Sequence, residues 1–251
     1  MSTGDRLTNY CTDHQWKGRA DCVHCGIRNL MLFSGVPDSG FDHLLKPVDN
    51  LIYRAGATLY EEGEPGQSVF SIRRGIVKLL YRTPDGSQRI VRLLGRGVTI
   101  GLELLDQGVT YHHTAVAVQD VDLCTIPLAT LRDLEAQFPA LCDKVRQQVQ
   151  HQVDRADHWI KALNTGVTRA RIAQLLLLLM EIGADRNGDI QLLPRDDMAA
   201  VVGVTTETAS RVIADFKRRG LLTKVASNTF RCDAQQLRRL LDESTRPVGE
   251  S

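Results

Sequence analysis

Cys11, Cys22 and Cys25 crowd the first tenth of the chain, while Cys124, Cys142 and Cys232 are scattered over the rest. Thiols are soft ligands and redox-active nucleophiles, so crowding of this kind points to a metal or redox role. Cys11-x-x-His14 followed by Cys22-x-x-Cys25 has ligand types and spacing that zinc accepts. Plain thiols or a thiol redox switch would use the same residues. Cys142, on a helix, and Cys232, beside a strand pair, read as packing residues.

A second set lies near the other end. Glu207, Ser210 and Arg211 stand at i, i+3 and i+4, which puts them on one edge of a helix near its N-terminus. Arg can donate twice to guanine O6 and N7, a carboxylate can accept from cytosine N4, and a serine can touch a thymine edge. Thr206 faces outward with them. Arg195, Thr208, Arg218 and Arg219 are expected on phosphates, positioning the domain without reading sequence. Alone, Glu207 and Arg211 would read as a solvated ion pair; their setting decides for DNA.

That setting is a winged helix-turn-helix. A short helix starts near Pro194 and stops at Gly203, and Thr205 caps a second helix that runs to Gly220. Ala199 and Ala200 should let the two helices approach closely, with Val204, Val212, Ile213 and Phe216 as the buried face. Leu221 to Arg231 forms a small wing, and Asn187-Gly188 marks a hairpin between short strands. Upstream, a helix from Thr168 to Gly183 carries a fully apolar run, Leu175 to Leu179, and should be buried.

From Ala140 to Leu163 a long helix carries Leu141, Val145, Val149, Val153, Ala156, Ile160 and Leu163 on one narrow stripe, which suits a two-helix seam. Val145, Val149, Val153, Ala156, Ile160 and Leu163 are the expected homodimer interface. Before it, residues 45–127 alternate short apolar runs with Gly at 56, 63, 66, 75, 86, 95, 97, 101 and 108, as an antiparallel sandwich or barrel does. The predicted class is therefore α+β, with a leader (1–35), a β-roll sensor (36–138), a dimerisation helix (139–164) and a DNA-binding domain (165–251).

Bulk charge adds nothing to the DNA reading: 31 Lys plus Arg face 30 Asp plus Glu, a net charge of +1. No Gly-rich phosphate loop, nucleophile elbow or His-Glu-x-x-His motif is present, so an enzyme is not expected. Neither a membrane span nor a secretory signal is evident, and the expected location is cytoplasmic.

The arrangement resembles the family of the cyclic-AMP receptor protein and the fumarate–nitrate reductase regulator. The likeness covers nearly the whole chain. It rests on Gly56-x-x-Leu59-x-x-x-Gly63 with Ile72-x-x-Gly75-x-Val77, on the long helix, and on Val204-Thr205-Thr206-Glu207-Thr208-Ala209-Ser210-Arg211. Glu-x-x-Ser-Arg places the chain nearer the fumarate–nitrate branch. The resemblance implies a dimer on an inverted repeat with TTGAT-like half-sites about one helical turn apart. It further implies RNA polymerase as a partner, at the Pro84-Asp85-Gly86 turn, and hence activation.

It also implies an oxygen-labile iron–sulfur cluster of 4Fe-4S type. Cys124-Thr125-Ile126-Pro127 matches the last ligand and Cys22-Val23-His24-Cys25 the leader pair. The family's next cysteine is Met31 here, and Cys11 is the replacement expected from upstream. Haem on His112 and His113, or a nucleotide near Glu103, are the alternatives. The segment from Gly108 to Ala115, where the family holds a cyclic phosphate, contains no Arg, so nucleotide binding is not expected.

Overall fold

The computed structural model describes residues 14–37, 48–86, 88–106 and 110–245. The chain divides into two units, residues 1–81 with 95–148 and residues 82–94 with 149–251. Cys11 lies outside the described residues.

In the first unit the glycine-punctuated runs become β2 (Asp49–Tyr53), β3 (Thr58–Tyr60), β4 (Ser68–Arg74), β5 (Val77–Arg82), β7 (Thr99–Ile100), β8 (Thr114–Ala117) and β9 (Val121–Pro127). The leader's His14–Arg19 stretch forms β1, which pairs antiparallel with β2 and extends the first sheet to β1–β2–β9–β4–β7. A second sheet runs β3–β8–β5. Gly75 makes the β4–β5 turn at φ +95°, and a Cβ there would lie 2.7 Å from the Asp120 carbonyl oxygen.

Two helices follow β9 directly: α1 (Leu128–Gln137), which the sequence reading did not separate, and α2 (Pro139–Leu163). Leu131, Leu134 and Leu141 share one core with Leu32 and Phe33 of the leader and Val69 and Ile126 of the sheet. Val145 belongs to that core as well and is buried, so it is not free for a seam.

The second unit contains β6 (Gln88–Leu94), the C-terminal part of α2, and the winged helix-turn-helix. The latter comprises α3 (Thr168–Gly183), β10 (Ile190–Gln191), α4 (Arg195–Val202), α5 (Thr206–Arg218), β11 (Leu222–Lys224), β12 (Thr229–Cys232) and α6 (Ala234–Thr245). Phe216, Ile172, Leu176, Met198 and Leu237 fill its core. Gly203 ends α4 in the left-handed conformation (φ +66°), and Arg171 Nη1 donates to the Val202 carbonyl beside it (2.6 Å). Asn187-Gly188 does not close a local hairpin: it turns the chain from α3 into β10, which pairs with β12. Ala199 is buried as expected, whereas Ala200 is exposed and takes no part in helix packing. No helix among the described residues is long and apolar enough to cross a membrane.

A Gly75→Ala substitution would force a side chain into a left-handed position against backbone. We expect it to lower the unfolding free energy by about 2–3 kcal/mol, read as a shift in the urea midpoint with unchanged slope.

Candidate DNA interface and cysteine pocket

The α5 N-terminus is built by its cap. Thr208 N–H donates to Thr205 Oγ1 (3.3 Å), satisfying one of the orphan donors of the first turn. Glu207 and Arg211 are exposed one turn apart, with Ser210 half-buried between them. The Glu207 carboxyl is held below the usual carboxylate range, first by its own backbone N–H and then by the Thr205 hydroxyl, with Arg211 adding a smaller effect. Thr206 is engaged: its hydroxyl donates to Asp196 Oδ1 of α4 at 2.7 Å, tying the two helices together. Arg195 and Thr208 are half-buried on the same part of the motif.

Arg218 and Arg219, expected on phosphates, both pair with a carboxylate while their side chains stay 77% and 46% exposed. Asp215 lies 2.6 Å from Arg218, 3.1 Å from Arg169 and 3.8 Å from Arg219, with its side chain only 12% exposed. An acid among Val212, Ile213 and Phe216 was a readable signal, because a buried carboxylate requires cationic partners. Arg218 foremost holds its carboxyl low.

The first unit holds the other site. Cys22 and Cys25 from the leader and Cys124 from β9 line one small pocket, together with Met31, Ser71, Arg28 and Arg73. Cys124 and Met31 are buried, and the two leader cysteines are half-buried. Arg28 Nη2 donates to the Val36 carbonyl at 2.6 Å, and Ala20 N–H to Val48 O at 2.9 Å; these bonds fasten the leader over the pocket. His24, inside the Cys-Val-His-Cys run, points out to Asp21 (3.0 Å) with its side chain 82% exposed. Met31, which stands where the family's next cysteine would be, lines the pocket too, whereas Arg73 was not predicted here. Arg73 stands two residues from Ser71 on β4, at the irregularity where Ile72 and Arg74 pair with the consecutive residues Leu123 and Asp122, and both line the pocket.

Burial pushes the Cys22 thiol up to about 11 and the Cys124 thiol up to about 12; neighbouring thiols add to the rise and Arg73 opposes it. A metal bound here must therefore displace protons. No group of three His, Cys, Asp or Glu is gathered tightly enough to hold a metal ion among the described residues. The donor set is nonetheless one of sulfurs, three thiols and a thioether, with two guanidiniums to balance thiolate charge. That fits an iron–sulfur cluster in ligand type. It does not fit the expected zinc set: His14 is stacked on Tyr53 (ring centroids 5.3 Å apart) and does not line the pocket.

Tyr111 stacks on Tyr60 (3.8 Å), donates to the Ser68 carbonyl (2.6 Å) and leaves no room for a Cβ at Gly66, so aromatic rings fill the β-roll near Glu103. The Glu103 carboxylate accepts from His112 N–H at 3.3 Å. Cys232 is buried, and Cys142 Sγ lies 4.0 Å from the Glu135 carbonyl. On α2, Val149, Val153 and Ile160 are 46%, 46% and 61% exposed and Ala156 is half-buried, whereas Leu163, like Val145, is buried in its own unit.

Residues 51–138 match the cyclic nucleotide-binding domain family, and residues 170–240 match the Crp-like helix-turn-helix domain family. The chain is 26% identical over 213 residues to the CRP-like cAMP-activated global transcriptional regulator of Mycobacterium tuberculosis, a match covering 83% of this chain and 95% of that one. It is 27% identical over 212 residues to the fumarate and nitrate reduction regulatory protein of Escherichia coli, with coverages of 80% and 82%. Among solved structures, a CRP-family transcriptional regulator of Thermus thermophilus is similar at TM-score 0.64 and 25% identity, over 78% of this chain and 98% of that one. These relatives are transcriptional regulators, not enzymes.

The depressed Asp215 pKa carries a sign. Its stabilising effect is present above the unfolded value and lost as pH falls through the folded one. We expect Asp215→Asn to be less stable than the parent at pH 7, with the gap in urea midpoint narrowing only below about pH 4.

Proposed function

Because the chain is a DNA-binding transcription regulator of the Crp/Fnr type, we propose that it senses oxygen or redox state through an iron–sulfur cluster and binds a TTGAT-type inverted repeat as a homodimer. The observation that carries the sensing half is the pocket shared by Cys22, Cys25 and Cys124. Cys11, upstream, is the proposed fourth ligand of a 4Fe-4S cluster, replacing the thiol that Met31 lacks. When bound, such a cluster supplies oxygen-labile redox chemistry. Arg28 and Arg73 balance the charge of the thiolates. Cys124 belongs to the sheet and Cys22 and Cys25 to the leader, so ligation ties the two together.

The filling of the β-roll by Tyr60 and Tyr111 supports a signal other than a cyclic nucleotide. Val149, Val153 and Ile160, with Ala156, are the proposed seam between protomers. Each protomer then presents Glu207, Ser210 and Arg211 to one half-site, with Thr206, Thr208 and Arg195 toward the backbone. RNA polymerase is the proposed partner of the turn closed by Gly86 N–H on the Thr83 carbonyl (2.8 Å), and the cytoplasm the proposed location.

Protein purified without air should be brown, contain iron and acid-labile sulfide, and bleach in air. Cys124→Ser should remove both. Colourless protein free of iron sinks the sensing half. In gel shifts at fixed salt, Arg211→Ala should weaken binding to the inverted repeat by about 1–3 kcal/mol and relax the preference at one base pair. Equal retention of the repeat and a scrambled probe by the parent chain would overturn the recognition half.

A further inference from the structure

Only three polar side chains are buried among the described residues of the first unit: Ser71, Thr99 and Thr130. Two of them stand in one row with a pocket cysteine. Cys124 on β9 pairs with Ser71 on β4, and Ser71 pairs with Thr99 on β7. Directly paired residues share a face of the sheet, so the three side chains lie in line. The Ser71 and Thr99 hydroxyls are hydrogen-bonded at 2.8 Å.

The row continues into α2. Thr99 N–H donates to Gln148 Oε1 (2.9 Å), and Gln148 Nε2 donates to the Gly97 carbonyl (3.1 Å). Both ends of one side-chain amide thus grip the Gly97–Thr99 backbone and set the axial position of the helix against it. The next residue, Val149, is the first exposed member of the proposed seam. Apolar residues of similar size would fill the same space without the cost of desolvating hydroxyls and an amide. The polar row therefore selects one position of the helix rather than adding bulk stability.

We propose that the row Ser71–Thr99–Gln148 couples the cysteine pocket to α2, so that filling the pocket biases the seam and thereby DNA affinity. Ser71 lines the pocket beside Cys124, whereas Thr99 and Gln148 are positioning residues outside the pocket lining. The inference rests on the sensing reading above.

The test compares DNA affinity of anaerobic cluster-loaded protein with that of cluster-free protein, by fluorescence anisotropy, alongside iron and sulfide content. Thr99→Val removes the hydroxyl at nearly constant volume; Thr99→Ser keeps it; Gln148→Leu removes the helix grip. Thr99→Val and Gln148→Leu should load as the parent does, yet the ratio of loaded to cluster-free affinity should fall by about fivefold or more. Thr99→Ser should keep the parental ratio. Fully loaded Thr99→Val and Gln148→Leu proteins with the parental ratio overturn the coupling. Loss of iron in Thr99→Val overturns it too, by making the row a support of the pocket alone. A parent chain that loads iron without any change in affinity, or loads none, overturns the sensing reading and the coupling with it.

Discussion

The register of β9 is the constraint on which the first unit depends. This strand is hydrogen-bonded to β2 on one side and β4 on the other. Alternation along it sends Cys124 and Ile126 to the pocket and Thr125 to the opposite face. A slip of one residue would carry Cys124 away from the leader and set Thr125 in its place. The same strand ends at Pro127 and passes straight into α1, whose Leu131 and Leu134 pack where the leader's Leu32 and Phe33 arrive. Sheet, helix and leader thus share one core, and displacement of any of them is felt by the others.

The second unit meets a different demand, to hold one polar helix edge outward on a firm base. Ala209, Val212, Ile213 and Phe216 bury one side of α5, and Glu207 and Arg211 stay exposed on the other. The helix is fastened at both ends by polar contacts. Thr205 caps its start and the Thr206–Asp196 bond joins it to α4, while Asp215 gathers Arg169, Arg218 and Arg219 near its end. The wing is secured separately: Arg231 donates to Asp189 through two bonds of 2.7 and 2.8 Å, tying β12 to the turn before β10.

Much of the fold was legible where the signal is local. Short apolar runs between glycines marked the strands, and the Pro194, Gly203 and Thr205 signals bounded the two helices of the DNA-binding motif. Elements whose reason lies elsewhere in the chain were not legible. The stretch His14–Arg19 is polar and carries no strand pattern; it is extended because β2 offers it a free edge. Asn187-Gly188 announced a turn but not that β12, far along the chain, would be the partner of β10. Periodicity likewise marked the apolar stripe of α2 without saying what covers each residue. Val145 and Leu163 are spent in their own units, while Val149, Val153 and Ile160 remain exposed.

The candidate sites divide along the same line. By itself the sequence determined residue types and short spacings: Glu207, Ser210 and Arg211 on one helix edge, the Cys22–Cys25 pair, and a lone cysteine at the end of a strand. Family resemblance had implied that Cys22, Cys25 and Cys124 meet; tertiary structure alone decided that Arg73 lines their pocket, and that Arg218, with its side chain still 77% exposed, pairs with Asp215. The physical reason is that helix edges and turns follow from backbone geometry within a few residues. The pocket, by contrast, is closed by strand register and core packing between segments about a hundred residues apart, which no local pattern encodes.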